Sequence, residues 1–463
     1  MSRHLFLDVS PPPYLGSREQ LDKSAFRKTL PVLAARVQPD KVGRFLKGDV
    51  MKRAILDIPK VRTVAPDLAN EGTRLVLLRM SREADIPSDA LEFIKKESNG
   101  LVTYDVDLDY NYWTSDEILH SFLPEDIRQG APSGFAIVGH IAHLNLNDEY
   151  LPYKHIIGEL VLDKNPRVRT VVNKLNSIDN QFRFFKMELL AGEPDYVVEH
   201  HESDCRFLFD FTKVYWNSRL HTEHERLVQL FKPEDVVADV FAGVGPFAIP
   251  AGAKGCAVLA NDLNPESAKY LAINATNNRV EDIVRVFCED GREFIKEAAL
   301  RAWTAPFPGY TGPKPSRSQE DKERRRLQKL KAEGKTLPTS IPESPAEPRR
   351  KISHFVMNLP DSAIEFLDAF RGILADKDPD FRRTYNITPM IHCHCFTREV
   401  ESVATAENDI YKRVEEKLGA PLTSEVSLQF VRSVAPNKDM YCISFRLPPE
   451  VAFLSGIQEN PRR

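Results

Sequence analysis

The run Val236-Val237-Ala238-Asp239-Val240-Phe241-Ala242-Gly243-Val244-Gly245-Pro246-Phe247 constrains this chain more than any other stretch. A short β-branched segment that breaks into two closely spaced glycines lets the backbone approach a ligand where a Cβ would collide. Pro246 suits the first position of the helix expected next. A second apolar run, Ala257 to Ala260, leads to Asp262, about where folds of this kind hold a carboxylate for ribose hydroxyls. Strand, glycine turn, helix, strand and acid together predict a nucleoside-cofactor site, with Asp239, Gly243, Gly245 and Asp262 as its first candidates. Gly243-x-Gly245-x-x-Ala248 also satisfies the dinucleotide fingerprint, so a nicotinamide-dependent oxidoreductase stays open.

With 463 residues and 42% apolar content, the chain can bury substantial cores and divide into two or three domains. No apolar run approaches the roughly 20 residues that cross a bilayer, and the first residues lack a secretory pattern, so no membrane association is expected. Six scattered cysteines, at 205, 256, 288, 393, 395 and 442, suit reduced thiols inside a cell better than a disulfide framework. A formal charge of −4 does not announce a nucleic-acid partner, although a local basic groove can hide beneath such an average. Asp8, Glu19 and Asp22 are poor material for an acid-free mitochondrial transit helix.

Residues 1–20 read as a loose tail, 21–110 as a small ordered domain, 111–210 as an α+β module and 211–463 as an α/β domain. In the module, a strand-like run from Phe135 to Leu146 is followed by a helix near Leu151 to Leu162 and by strand-like runs at Val168–Leu175 and Phe182–Leu190. The last domain alternates strand and helix signals, as a parallel sheet with helices on both faces requires. Its expected strands are Val236–Val240, Ala257–Asn261, Val284–Phe287, Phe355–Asn358 and Pro389–Cys395. Residues 303–350, dense in Pro, Lys, Arg and Glu, read as a mobile charged insertion. Its Lys322-Glu323-Arg324-Arg325-Arg326 run suits a solvated helix better than an RNA contact.

Upstream of the glycines, Thr222 and Glu225 have the spacing of a capping box, which puts Glu223 in the first turn of a helix. A surface acid that complements the helix dipole is the plain reading of Glu223, and a catalytic base is the sharper one. Asn358-Leu359-Pro360 ends a predicted strand at the ligand-binding edge, where a side-chain amide can grip a planar base, or merely form a turn. Asp290-Gly291 stands at the same edge with the same two readings. His392-Cys393-His394-Cys395 looks like a metal cluster, but strand alternation sends the histidines to one face and the cysteines to the other, so no metal is expected.

These segments, with Asp210 to Glu223, Met187 to Pro194, Asn261 to Glu266 and Val431 to Phe445, resemble the archaeal and eukaryotic type of tRNA (guanine-N1) methyltransferase, which modifies guanosine 37 of tRNA. The resemblance implies a class I, Rossmann-like α/β domain that binds S-adenosyl-L-methionine, preceded by a middle domain and an N-terminal domain that helps recognise folded tRNA. By matching position it implies ribose contacts at Asp262 and Leu263, adenine contacts at Asp290 and Gly291, and further pocket residues at His224 and Asn358. Glu223 matches the general base, Tyr215 and Arg219 lie in the same motif, and Arg183 matches the arginine that meets the base's exocyclic oxygen.

The chemistry agrees with those roles. Guanine N1 carries a proton, so its attack on a methyl needs a base, here Glu223, while charge builds on O6 beside Arg183 and Asn358 fixes the ring in line. A stacked anticodon-loop base must be flipped, with Tyr215 and Pro360 as the walls that hold it. The expected partner is a tRNA bearing guanosine 37, met by a monomer in the cytoplasm, with nucleus and mitochondrial matrix implied by the resemblance. A related aminocarboxypropyl transfer to a tricyclic guanosine would share the fold but has no need of a base at Glu223. A catalytically silent RNA-binding protein would have no need of Glu223 or Asn358.

Overall fold

In the computed structural model, residues 7–132, 134–178, 185–313, 317–332, 346–375 and 378–455 are described. Five apolar runs of the second half pair side by side in parallel: Val236–Asp239 (β1), Ala257–Asn261 (β2), Val284–Phe287 (β3), Ile352–Met357 (β4) and Met390–Thr397 (β5). Ser427–Ala435 (β6) and Lys438–Arg446 (β7) form a hairpin that extends the sheet antiparallel, in the order β3-β2-β1-β4-β5-β7-β6. The expectation of a wholly parallel sheet is thus corrected. A parallel partner would need a covering crossover, whereas β6 and β7 are joined by a tight turn with Asn437 at φ 57°.

Residues of β1 and β2 are buried on both faces, which explains their continuous Val, Ala and Leu runs. One face carries Gly291–Thr304, a turn at Ala363–Phe370 and Val403–Leu418; Phe294, Leu367 and Ile410 there pack with Leu259, Phe355, Cys393 and Cys395. Helices His221–Leu230 (α1), Ala248–Lys254 (α2) and Pro265–Asn277 (α3) accompany the other face. The strand order reverses between β2-β1 and β4, which opens a crevice at the carboxyl ends of these strands.

Local signals account for several of the helix ends. Asn264 caps α3 by accepting from Glu266 N, with Pro265 next in the helix. Gly291–Thr304 (α4) starts at Asp290, which accepts from Arg292 N, and Val403–Leu418 (α5) runs from a Ser402–Thr405 capping box to Gly419 at φ 79°. Two expectations fail. Thr222 and Glu225 form no capping box, because α1 grows directly out of a tight turn at Ser218–Leu220 that Asn217 caps by accepting from Arg219 N. Pro246 is not the first helical residue: the chain needs Pro246 and Phe247 to leave the glycine turn, and α2 starts at Ala248.

A hairpin, Val197–Glu202 with Cys205–Asp210, is fixed to α3 by two asparagines. Asn274 Oδ1 accepts from Leu208 N (2.7 Å) and Asn278 Oδ1 from Arg206 N (2.8 Å), so side chains satisfy a strand edge. Asn274 Nδ2 also donates to Val244 O in the glycine turn at 3.0 Å.

Contacts divide the chain into residues 1–174 with 188–194, and residues 175–187 with 195–463. The first unit contains an antiparallel sheet in the order 64–66, 74–77, 28–37, 101–108. One of its cores joins Phe26, Val32 and Trp113 to Ile156 and Leu160, and so draws on both segments expected as separate domains. The strand-like run from Phe135 is two strands, Ala136–Val138 and Ile141–Leu144, turned at Gly139, and the helix spans Lys154–Lys164.

The expected insertion at 303–350 has packed roots. Phe307 is buried, Trp303 meets Phe381 edge-on at 5.8 Å, and Phe307 and Arg349 exchange backbone hydrogen bonds of 3.0 and 2.9 Å. Arg349 also donates to Pro233 O and Gly255 O, so apolar and backbone groups that looked unpaired in the sequence belong to the fold. Between the roots, Arg317–Ala332 is a helix with charged residues all round. Deleting Gly312 to Glu347 should shift the melting temperature by no more than about 2–4 °C, equivalent to ~1 kcal/mol, in a comparison of the two proteins by calorimetry. A fall of ten degrees or more would show that the helix is packed structure.

Candidate active site

The crevice is built around one buried side chain. Asn261, the last residue of β2, donates from Nδ2 to Val240 O (3.1 Å) and Glu289 O (3.0 Å), and its Oδ1 accepts from Glu289 N (3.0 Å). It therefore ties the loop after β1 to the loop after β3, and both loops face the same space. Next to it, Asp262 accepts from Gly243 N at 2.8 Å and from Asn264 N at 2.9 Å, which braces the glycine turn yet leaves carboxylate lone pairs for a ligand. Burial pushes the Asp262 carboxyl above its usual range.

Gly243 (φ 55°) and Gly245 (φ 102°) give the turn its left-handed backbone. A Cβ on Gly245 would come within 2.6 Å of Ile249 and 2.7 Å of Leu271. Gly291 is needed for a different reason: its Cβ would sit 2.8 Å from the Phe241 ring. Without it, Phe241 and Phe366 meet near perpendicular at 5.0 Å and form an apolar wall with Asp290 beside it.

The resulting cavity has a volume of about 580 Å³, within the usual span of small-ligand sites. Of the residues singled out in the sequence, Tyr215, His224, Gly243, Asp262, Leu263, Asp290, Gly291, Asn358 and Pro360 line it. Gly245, Asp239, Arg219 and Glu223 do not, and Arg183 lies outside the described residues. Asn358 Oδ1 is buried with no partner among the described residues. So are both oxygens of Asp239 at the end of β1, whose pKa is pushed up to about 8 by burial and by neighbouring Asp262.

Two acids on the α1 side behave differently. His224 gives its Nδ1 to Glu202 at 2.6 Å and sets its ring edge against Phe247 at 4.8 Å. Burial raises the Glu202 pKa, but His200 and His224 outweigh it and bring it to about 2. Glu223 is not the exposed dipole partner of the plain reading, for only 5% of it is accessible. Its Oε2 accepts from Arg226 Nε at 2.6 Å, and its Oε1 accepts from Arg226 Nη2 at 2.7 Å and His394 Nε2 at 2.8 Å. Burial again raises the carboxyl, and these two partners more than offset it, to about 2.

His394 explains the cluster at 392–395. Cys393 and Cys395 pack in the apolar core, while His392 meets Phe231 and His394 meets Phe247 across the other face, as alternation required. The sequence reading missed Asn261, Trp216, Phe241, Phe366 and Lys438 as cavity residues, along with the engagement of His394. Asn261 carried a signal, a polar residue closing an apolar strand beside Asp262. Phe366 and Lys438 carried none, since turns far along the chain deliver them.

The TRM5/TYW2 methyltransferase domain family matches residues 198–302, and the TYW2 N-terminal domain family matches residues 115–195. The chain is 75% identical over 452 residues to the tRNA (guanine(37)-N(1))-methyltransferase of Coprinopsis cinerea, covering 98% of this chain and 99% of that relative. It is 44% identical over 446 residues to the protein of that name from Schizosaccharomyces pombe, covering 95% and 96%. Among solved structures, Trm5b from Pyrococcus abyssi matches 90% of this chain and 99% of its own at a TM-score of 0.53 and 23% identity. A complex of aTrm5 with tRNALeu matches 90% and 100% at a TM-score of 0.55 and 19% identity. The last two likenesses establish the fold.

Replacing Asn261 by Leu keeps the volume but strands the Val240 and Glu289 backbone groups, so stability should fall by about 2–4 kcal/mol in urea unfolding. A loss under ~1 kcal/mol would mean that the two loops hold without it.

Proposed function

The chain belongs to the tRNA (guanine(37)-N(1))-methyltransferase family, and from that premise we propose which of its residues move a methyl group from S-adenosyl-L-methionine to N1 of guanosine 37. The protein is a methyltransferase that uses this cofactor. The site fits the group: spare lone pairs on Asp262, the missing Cβ of Gly291 and the unpartnered Asn358 Oδ1 converge on one cavity. Asp262 and Leu263 take the ribose, and Asp290, Gly291 and Phe241 take the adenine. His224, Gly243 and Asn358 supply further polar contacts, while Asp239 and Gly245 shape the turn beneath. When bound, S-adenosyl-L-methionine supplies a methyl group made electrophilic by the positive sulfur to which it is attached.

The rest of the work falls to the protein. Tyr215, 45% exposed at the cavity mouth, and Pro360 hold the flipped guanine. Asn358 Oδ1 accepts a hydrogen bond from the exocyclic amino group of the guanine and aligns N1. Glu223 takes the N1 proton, which requires its carboxylate to exchange one of its present donors for the substrate. Arg183 is assigned to the growing charge on O6, and Arg219 to the RNA near the mouth. The N-terminal segments read the tRNA body, in keeping with recognition of RNA by shape. An address in cytoplasm, nucleus and mitochondrial matrix, and a monomeric state, rest on the family resemblance alone.

The observation that carries this reading is the meeting of Asp262, Asp290 and the unpartnered Asn358 in one cavity, one helical residue away from a buried carboxylate. Nucleoside mass spectrometry after mixing protein, cofactor and unmodified tRNA should yield 1-methylguanosine confined to position 37. Glu223→Gln should keep cofactor affinity within a few-fold in calorimetry while lowering single-turnover methyl transfer by about 10²-fold or more. Near-normal turnover would remove Glu223 as the base.

A further inference from the structure

The base is held from behind by a group that the known reaction does not call for. His394, in the middle of β5, has no accessible surface, and its Nε2 sits 2.8 Å from Glu223 Oε1. Its ring lies against Phe247 at 5.7 Å, and its Nδ1 has no hydrogen-bond partner among the described residues. We infer that His394 is a positioning residue for the general base: it keeps the Glu223 carboxylate ionised and oriented while the Arg226 contact is given up to substrate.

Accessibility separates the two partners. The Arg226 side chain is 30% exposed, so solvent can receive its guanidinium when the carboxylate turns to another donor. His394 has no such outlet, and a buried imidazole cannot leave without opening the sheet face. During the reaction the N1–H bond breaks, its electron pair stays on N1 for the new carbon bond, and the proton is taken up on a Glu223 oxygen. A carboxylate stripped of every cation in this buried place would already be protonated near neutral pH and could accept nothing.

Other charged or titratable groups around the pair come from each packed element. Arg226 stands on α1, His392 two residues away on β5, Cys442 on β7 and Asp239 at the end of β1. Burial alone would lower the His394 pKa, but Cys442 and Glu223 raise it to about 10. Ligand-type atoms of Glu223, His394 and Cys442 lie within 4.8 Å of one another, a spacing a metal ion can bridge. Arg226, however, already engages both Glu223 oxygens and faces Cys442, so a metal cation would meet the positive charge of its guanidinium. The arrangement suits proton control instead.

This inference rests on Glu223 being the base, and the test separates the two claims. With full-length protein and unmodified tRNA, kcat and KM are measured from pH 5 to 9 for the wild type, His394→Gln and Glu223→Gln. Glutamine retains an N–H donor but no charge, so Glu223 should bind its proton more readily. With the Arg226 contact given up to substrate, the acidic limb of kcat should then enter the measured range or move up within it by about one pH unit or more, with both KM values within about two-fold. His394→Asn gives the same reading if the glutamine variant does not fold. Loss of turnover in Glu223→Gln with His394 profiles parallel to the wild type would overturn the inference alone, whatever their height. Normal turnover in Glu223→Gln would overturn the base and the inference together.

Discussion

Three hydrogen bonds from the Asn261 amide fix the distance between the loop after β1 and the loop after β3, and nearly everything at the crevice is referred to that distance. The first loop carries the glycine turn and the second carries Asp290 and Gly291, so the wall of Phe241 and Phe366 closes only if the loops keep their spacing. Asp262 repeats the device one residue on by bracing Gly243 and Asn264. A sheet edge is otherwise a row of loose turns, and buried amides are an economical way to stiffen one, since backbone donors and acceptors there must find partners in any case.

The electrostatics divide along the sheet. At the end of β1, burial and a neighbouring carboxylate push the Asp239 pKa up to about 8, beside the cavity-lining Asp262. Glu202, at the end of the hairpin strand Val197–Glu202, and Glu223 on α1 are also withdrawn from water, but histidine lowers the pKa of each, with Arg226 added at Glu223. The shifts run in opposite directions because burial prevails at Asp239, whereas partners outweigh burial at Glu202 and Glu223. Consecutive residues of one helix turn the difference to use: His224 lines the cavity while Glu223 is kept in a paired state behind it.

The parts of this design that depend on short stretches were legible in the sequence. The five parallel strands matched their apolar runs to within a few residues, because burial on both faces leaves an unbroken signal. Gly243, Gly245 and Asp262 announced the left-handed turn and the acid that braces it through backbone freedom and a carboxylate at fixed spacing. Alternation in β5 correctly assigned His394 to the face away from Cys393 and Cys395. What it could not supply was the occupant of that face, since Glu223 is 171 residues away along the chain. The same limit hid Phe366 and Lys438 from the cavity. Helix starts misled for another reason: Asn217 and the tight turn after it satisfied the backbone before Thr222 was reached, so a valid capping pattern had nothing left to cap.

Central to the proposed reaction is one carboxylate, held in an ionic cluster, that would be released to a nucleobase. A structure of the full-length protein with S-adenosyl-L-homocysteine and unmodified tRNA would test this most directly. The expected result has a Glu223 oxygen within about 3 Å of guanine N1, Arg226 turned away, and the His394 contact preserved. A complex in which guanosine 37 is bound in the cavity, but Glu223 keeps both Arg226 contacts and lies many ångströms from N1, would contradict it.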